Sequence, residues 1–148
     1  PAGGLTELAG SVLDACGTVF PAGAVGAGMG MKIAFNVMTY FQQAAVSAAH
    51  QVAVSEGCDP ERLLESWRHV GQLGALTERF FPLVTMSPDE KRPLADYLWG
   101  TIGIAVKDLD LAAGIGLESG RPMPVVEAVR DHMALVYGMP PVTSAGDE

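Results

Sequence analysis

The stretch MKIAFNVMTYFQQAAVSAAHQVAVSE, Met31–Glu56, contains neither proline nor glycine, and its Ala, Met, Gln and Val content sums to helix. From about Gly30 to Glu56 this predicts a rod of roughly 40 Å, at about 1.5 Å of rise per residue. Nothing between Lys32 and Glu56 is formally charged. Lys32, Asn36, Thr39, Gln43, Ser47 and His50 recur every three or four residues, which draws one polar stripe along an otherwise apolar helix. The uncharged span reaches membrane-crossing length, but a lipid-facing helix rarely carries that many hydrogen-bonding side chains. The expectation is a helix buried in protein, touching neighbours on most sides, with no membrane partner.

Upstream, LTELAGSVLDAC (residues 5–16) sets Leu5, Leu8, Val12, Leu13 and Cys16 at helical spacing, and Gly17 ends the pattern. The β-prone TVFPAG, Thr18–Gly23, predicts a short strand before the glycine turn. Helix, strand and glycine turn together read as the tail of an α/β unit. Downstream, Asp59 and Pro60 mark the N-cap and first residue of PERLLESWRHV, and Leu73–Thr85 is an apolar segment interrupted by Pro82. SPDE, Ser87–Glu90, is a capping box. A second long helix is expected over Leu94–Glu118, a last one over Pro124–Tyr137, and a tail over residues 139–148. The fold class is therefore all-α, a helical bundle with one long central helix, preceded by a remnant helix and strand.

Composition narrows the function. A chain of 148 residues that is 49% hydrophobic fits one domain with a real core. A net charge of −8 with scattered basic residues argues against nucleic acid or an anionic membrane as partner. Cys16 and Cys58 form no CxxC pattern, and His50, His69 and His132 show no ligand spacing, so no metal site is expected and a reducing cytoplasm is the default. Pro1 is expected to be an internal point of a longer chain or a processed end.

The glycines before the long helix are not a dinucleotide fingerprint, because the third glycine of GxGxxG would fall at Met31. They are not a phosphate loop either, since Ile33 rather than Ser or Thr follows Lys32. What remains is a lysine and an asparagine at i and i+4, a cationic donor and an amide on one helix face. A lysine at the positive end of a helix dipole is held against its electrostatic preference, and burial would press the same way. Lys32 is thus the candidate acid/base.

Gly26, Gly28, Lys32 and Asn36 match the GxGxxxKxxxN signature, and the chain resembles the NAD(P)-dependent β-hydroxyacid dehydrogenases, the group of 3-hydroxyisobutyrate and 6-phosphogluconate dehydrogenases. GCDPERLLE after the long helix and KDLDLA, Lys107–Ala112, look like later landmarks of that family, in the same order. The resemblance implies that residues 26–138 are the all-helical substrate and dimerisation domain, and that residues 1–25 are the end of a Rossmann cofactor domain whose remainder is expected upstream. It implies Lys32 as general acid/base while hydride passes to or from NAD or NADP, and Asn36 as a hydrogen-bonding partner of a small hydroxy-acid substrate. It places Lys107 against the cofactor, gives Asp108 the ordering of the active site, and has Gly26 and Gly28 let the backbone pass close to both ligands. A homodimer or higher homo-oligomer packed on the long helix is implied as well.

Some positions depart from the family pattern. Phe35 stands where a second asparagine is common, and Gly100, beside Trp99, replaces an aromatic residue. Thr39 stands where the 6-phosphogluconate branch has glutamate, although Tyr40 is in place, which speaks against that decarboxylating substrate. The presence of Lys32 favours alcohol and aldehyde chemistry over imine reduction. By itself the chain is expected to be inactive and self-associating. The other readings are a non-catalytic helical interaction module and, more weakly, a membrane-associated fragment.

Overall fold

Local signals set the helix ends. Asp59 accepts from the backbone N–H groups of Glu61 and Arg62 (2.8 and 3.1 Å) and starts a helix at Pro60, and Ser87 and Glu90 close a reciprocal capping box around Pro88. The computed structural model describes residues 6–140, so Leu5 and the tail from residue 141 onward lie outside the described residues. Over that span the chain is all-α. Its helices are α1 (Glu7–Cys16), α2 (Ala27–Ser55), α3 (Pro60–Val70), α4 (Ala75–Thr85), α5 (Pro88–Lys91), a 3₁₀ turn (Arg92–Leu94), α6 (Ala95–Glu118), α7 (Pro124–Asp131) and α8 (Met133–Val136).

Three expectations are corrected. The strand over Thr18–Gly23 does not form: residues 18–22 carry no regular structure and Gly23 makes only an isolated bridge. A strand needs a ladder partner, and no strand occurs among the described residues. The last helix is broken at His132, whose ring Nδ1 lies 2.8 Å from the Ala128 carbonyl oxygen while its backbone N–H bonds Val129 three residues back. The ring takes up the carbonyl that the next helical N–H would have used. The long rod begins at Ala27, so Gly28 and Gly30 lie inside its first turns and only Gly26, at φ +93°, makes the turn before it.

Two compact units meet within α2, between Phe35 and Asn36. In the first unit, α1 buries none of its residues, and Leu8, Val12 and Leu13 leave its apolar stripe uncovered. The second unit is built on α6, which packs against α7, α8 and the 3₁₀ turn. Leu98, Ile102, Ala105, Leu109, Ala112 and Ala113 run down its inner face at helical spacing, facing a core that includes Phe80, Phe81, Val126, Met133 and Tyr137. The longest helix is α2, but the most buried one is α6.

The orientation of α2 corrects a further expectation. Within the second unit it is not surrounded: Met38, Val52 and Val54 are exposed, while Thr39, Gln43, Ser47 and His50 from the polar stripe are buried or half-buried. Gln42 also faces inward, accepting a 2.6 Å hydrogen bond from the Thr77 hydroxyl of α4. The polar stripe is the inner face because it has partners there. Among the described residues, no helix is long and apolar enough to cross a membrane.

Lys91, at the end of α5, is a buried cation whose pKa is lowered by that burial. Its ammonium occupies the position that a Cβ on Gly138 would need, and Gly138 itself has φ +65°. Nearby His50 stacks edge-on against Phe81, and burial, followed by the charge of Lys91, lowers its pKa. If α6 is the centre of the core, Leu109→Ala should cost about 2–5 kcal/mol in chemical denaturation. A cost under about 1 kcal/mol would contradict that placement.

Candidate functional site

Asp108 interrupts the apolar inner face of α6, where it is 2% exposed. A carboxylate buried that far must be matched by donors. Asn36 of α2 supplies one: its Nδ2 lies 2.6 Å from Asp108 Oδ2, across 72 residues of sequence. Lys107 adds an ion pair, its Nζ 2.9 Å from Oδ1, with most of the lysine side chain in solvent. Tyr40, one helical turn after Asn36, hydrogen-bonds the same carboxylate through its hydroxyl. Burial first, then the negative charge of Asp108 and the hydrogen bond to it, raise the Tyr40 pKa above the ordinary phenol value.

Two turns of α2 thus meet one residue of α6. The polar chain continues at Gln43, whose Oε1 accepts from the buried Tyr137 hydroxyl at 3.2 Å. The Tyr137 pKa is pushed up to about 12, chiefly by burial and next by the charge of Tyr40.

Of the residues singled out in the sequence, Asn36, Lys107 and Asp108 come together in the second unit. Lys32 lies on the part of α2 that belongs to the first unit, where its side chain is exposed, so the burial expected to press on its ammonium is absent. Gly26 adopts the positive φ that a glycine accommodates, and no heavy atom lies within 4 Å of where its Cβ would be; Gly28 sits in the first turn of α2. Tyr40, noted in the sequence only as in place against the 6-phosphogluconate branch, was given no part in the site there. Its signal was a second four-residue step in the Lys32–Asn36 series. A hollow of about 890 Å³ between α3 and α4, bordered by Asp59, Glu61, Glu65 and Arg68, contains none of the predicted residues.

The chain is similar to two oxidoreductases. Both are proteins of Mycobacterium tuberculosis, Uncharacterized oxidoreductase MT0794 of strain CDC 1551 / Oshkosh and Uncharacterized oxidoreductase Rv0770 of strain ATCC 25618 / H37Rv. Each is 32% identical over 123 residues, a match covering 80% of this chain and 41% of the relative. The chain therefore spans about two fifths of the length of the curated relatives it matches. No protein-family model and no solved structure matches it. Among the described residues, no group of three or more His, Cys, Asp or Glu could hold a metal ion.

The Tyr137 shift has a consequence for stability. In the unfolded chain the phenol ionises near its ordinary value of 10.0, but in the fold it stays protonated to about 12. The folded state therefore holds the proton more tightly, so this contribution is complete below pH 10 and is lost as pH rises from 10 to about 12. The loss should amount to about 2–3 kcal/mol, read by urea denaturation across that window, and Tyr137→Phe should flatten it.

Proposed function

We propose that the chain is the substrate-binding and dimerisation part of an NAD(P)-dependent oxidoreductase that interconverts a small β-hydroxy acid and its semialdehyde. The observation that carries this reading is the 2.6 Å bond from Asn36 to Asp108. It joins the last residue of the GxGxxxKxxxN match to the KDLDLA landmark, and two motif segments meeting at one carboxylate support a common site. Similarity to two named oxidoreductases supports the same class of chemistry.

In this reading Lys32 stands one helical turn before Asn36 by spacing and exchanges the proton of the substrate hydroxyl. As a neutral amine it takes that proton during oxidation, and as an ammonium it returns it during reduction. Asn36 hydrogen-bonds the substrate, and Asp108 holds Asn36 in place. Lys107, with most of its side chain in solvent beside the cluster, is the residue of the second unit that would lie against the dinucleotide. NAD or NADP, when bound, supplies the hydride acceptor or donor. The first 25 residues are the end of a Rossmann domain, which the uncovered stripe of α1 and the greater length of the relatives support.

Exposed apolar side chains on α2 (Met38, Val52) and α6 (Tyr97, Ile104, Leu111, Ile115) support homo-oligomerisation. The same surface, with the exposure of Lys32, favours a second reading as a non-catalytic interaction module. Turnover separates the two. In the full-length protein, assayed with NAD and NADP against a panel of β-hydroxy acids, Lys32→Ala should lower kcat by about 100-fold or more. Wild-type turnover by that variant would remove Lys32 from the mechanism. The 148-residue chain by itself should show no turnover, and it should sediment as a dimer or larger at micromolar concentration. A stable monomer there would count against the oligomer.

A further inference from the structure

Two turns along α2 from Asn36, at Gln43, the second unit holds a cavity of about 340 Å³ bordered by α2, α4, α6 and Tyr137. Phe80 and Leu98, 7% and 2% exposed, give it apolar walls, and no aspartate or glutamate lines it. That volume suits a small organic molecule rather than a single water. The hollow between α3 and α4 is larger, but the cation there, Arg68, is already held by Glu78 at 2.6 Å.

Two donor groups lining this cavity are unmatched. Gln43 is 9% exposed and accepts the Tyr137 hydroxyl on its Oε1 at 3.2 Å, which leaves the two N–H groups of Nε2 without a partner among the described residues. A buried amide in that state calls for an acceptor. Arg79, exposed at the rim, likewise makes no ion pair or hydrogen bond among the described residues. Arg62, Arg68, Arg92 and Arg130 each lie against a carboxylate, so an unmatched Arg79 is notable in a chain with 17 acidic residues.

We propose that this cavity is a second ligand site, built for a small organic carboxylate with an apolar body. The planar guanidinium of Arg79 matches the carboxylate fork, and Gln43, deeper in the fold, donates to a ligand oxygen. The hydrocarbon lies against Phe80 and Leu98. A phosphate would bring up to two charges to apolar walls that offer one cation, and a neutral molecule would leave Arg79 unmatched. The site uses neither Lys32 nor Asp108, so it stands apart from the dehydrogenase reading.

Calorimetry on the full-length protein with hexanoate and its neutral counterpart hexanamide tests the assignment. Hexanoate should bind about fivefold or more tightly than hexanamide, and Arg79→Gln should bring that ratio below about twofold. Gln43→Leu, which keeps the side-chain bulk, should weaken hexanoate about threefold or more. Excess 3-hydroxypropionate should leave the hexanoate affinity unchanged, whereas displacement would put hexanoate in the Asn36 site and overturn the proposal. No binding of hexanoate at millimolar concentration overturns it too, as does equal affinity for the two probes or an unchanged preference in Arg79→Gln. If Gln43→Leu does not fold, Arg79→Gln decides, because that side chain is exposed. A full-length protein without turnover that still binds hexanoate through Arg79 removes the dehydrogenase reading and leaves this site standing.

Discussion

A carboxylate with 2% exposure inside a helical core cannot be left to itself, and the arrangement of the second unit follows from that demand. Asp108 stands where the inner face of α6 would otherwise carry another apolar residue. Its negative charge is tolerated because Asn36, Tyr40 and Lys107 converge on it. Two of those donors come from α2, so satisfying the charge also fixes the rotation of the longest helix about its axis. An apolar residue at the same position would pack as well but would leave that rotation unspecified.

That rotation explains why α2 wears its polar residues inside. Asn36, Tyr40, Gln42 and Gln43 each find a partner on α4, α6 or at Tyr137, which lie far from them in sequence. Met38, Val52 and Val54 are left facing outward as a result. A helix with polar seams on its inner side gains directional contacts that apolar packing lacks. What it gives up is a water-compatible outer face.

Helix existence and ends were legible wherever a local rule applied. Asp59 with Pro60 and the Ser87–Glu90 box each specify a boundary through atoms a few residues apart, and α3 and α5 follow them, whereas the proline-free run from Met31 announced α2 but not its start at Ala27. The inward turn of the polar stripe was not legible, because periodicity places residues on a common face without saying which way that face points. The break at His132 was hidden for a similar reason, since it depends on one ring reaching the Ala128 carbonyl. In the candidate site, Lys32, Asn36, Lys107 and Asp108 could be picked out by motif, whereas the bond joining Asn36 to Asp108 spans 72 residues and only the fold supplies it. The strand at Thr18–Gly23 failed because its propensity is a statement about neighbours, and none of the described residues provides one.

Gly138 carries a different kind of constraint. The Lys91 ammonium fills the volume that any side chain at position 138 would claim, and the backbone there already sits in a region that favours glycine. Replacement by alanine would therefore meet two independent obstacles at once, a crowded cation and an unfavourable dihedral. A move or replacement of the Lys91 side chain would relieve the first, whereas the dihedral would remain. Position 138 is tied to position 91 in a way that a reader of either residue alone would not suspect, and the exit path of the chain after α8 is inherited with that pairing.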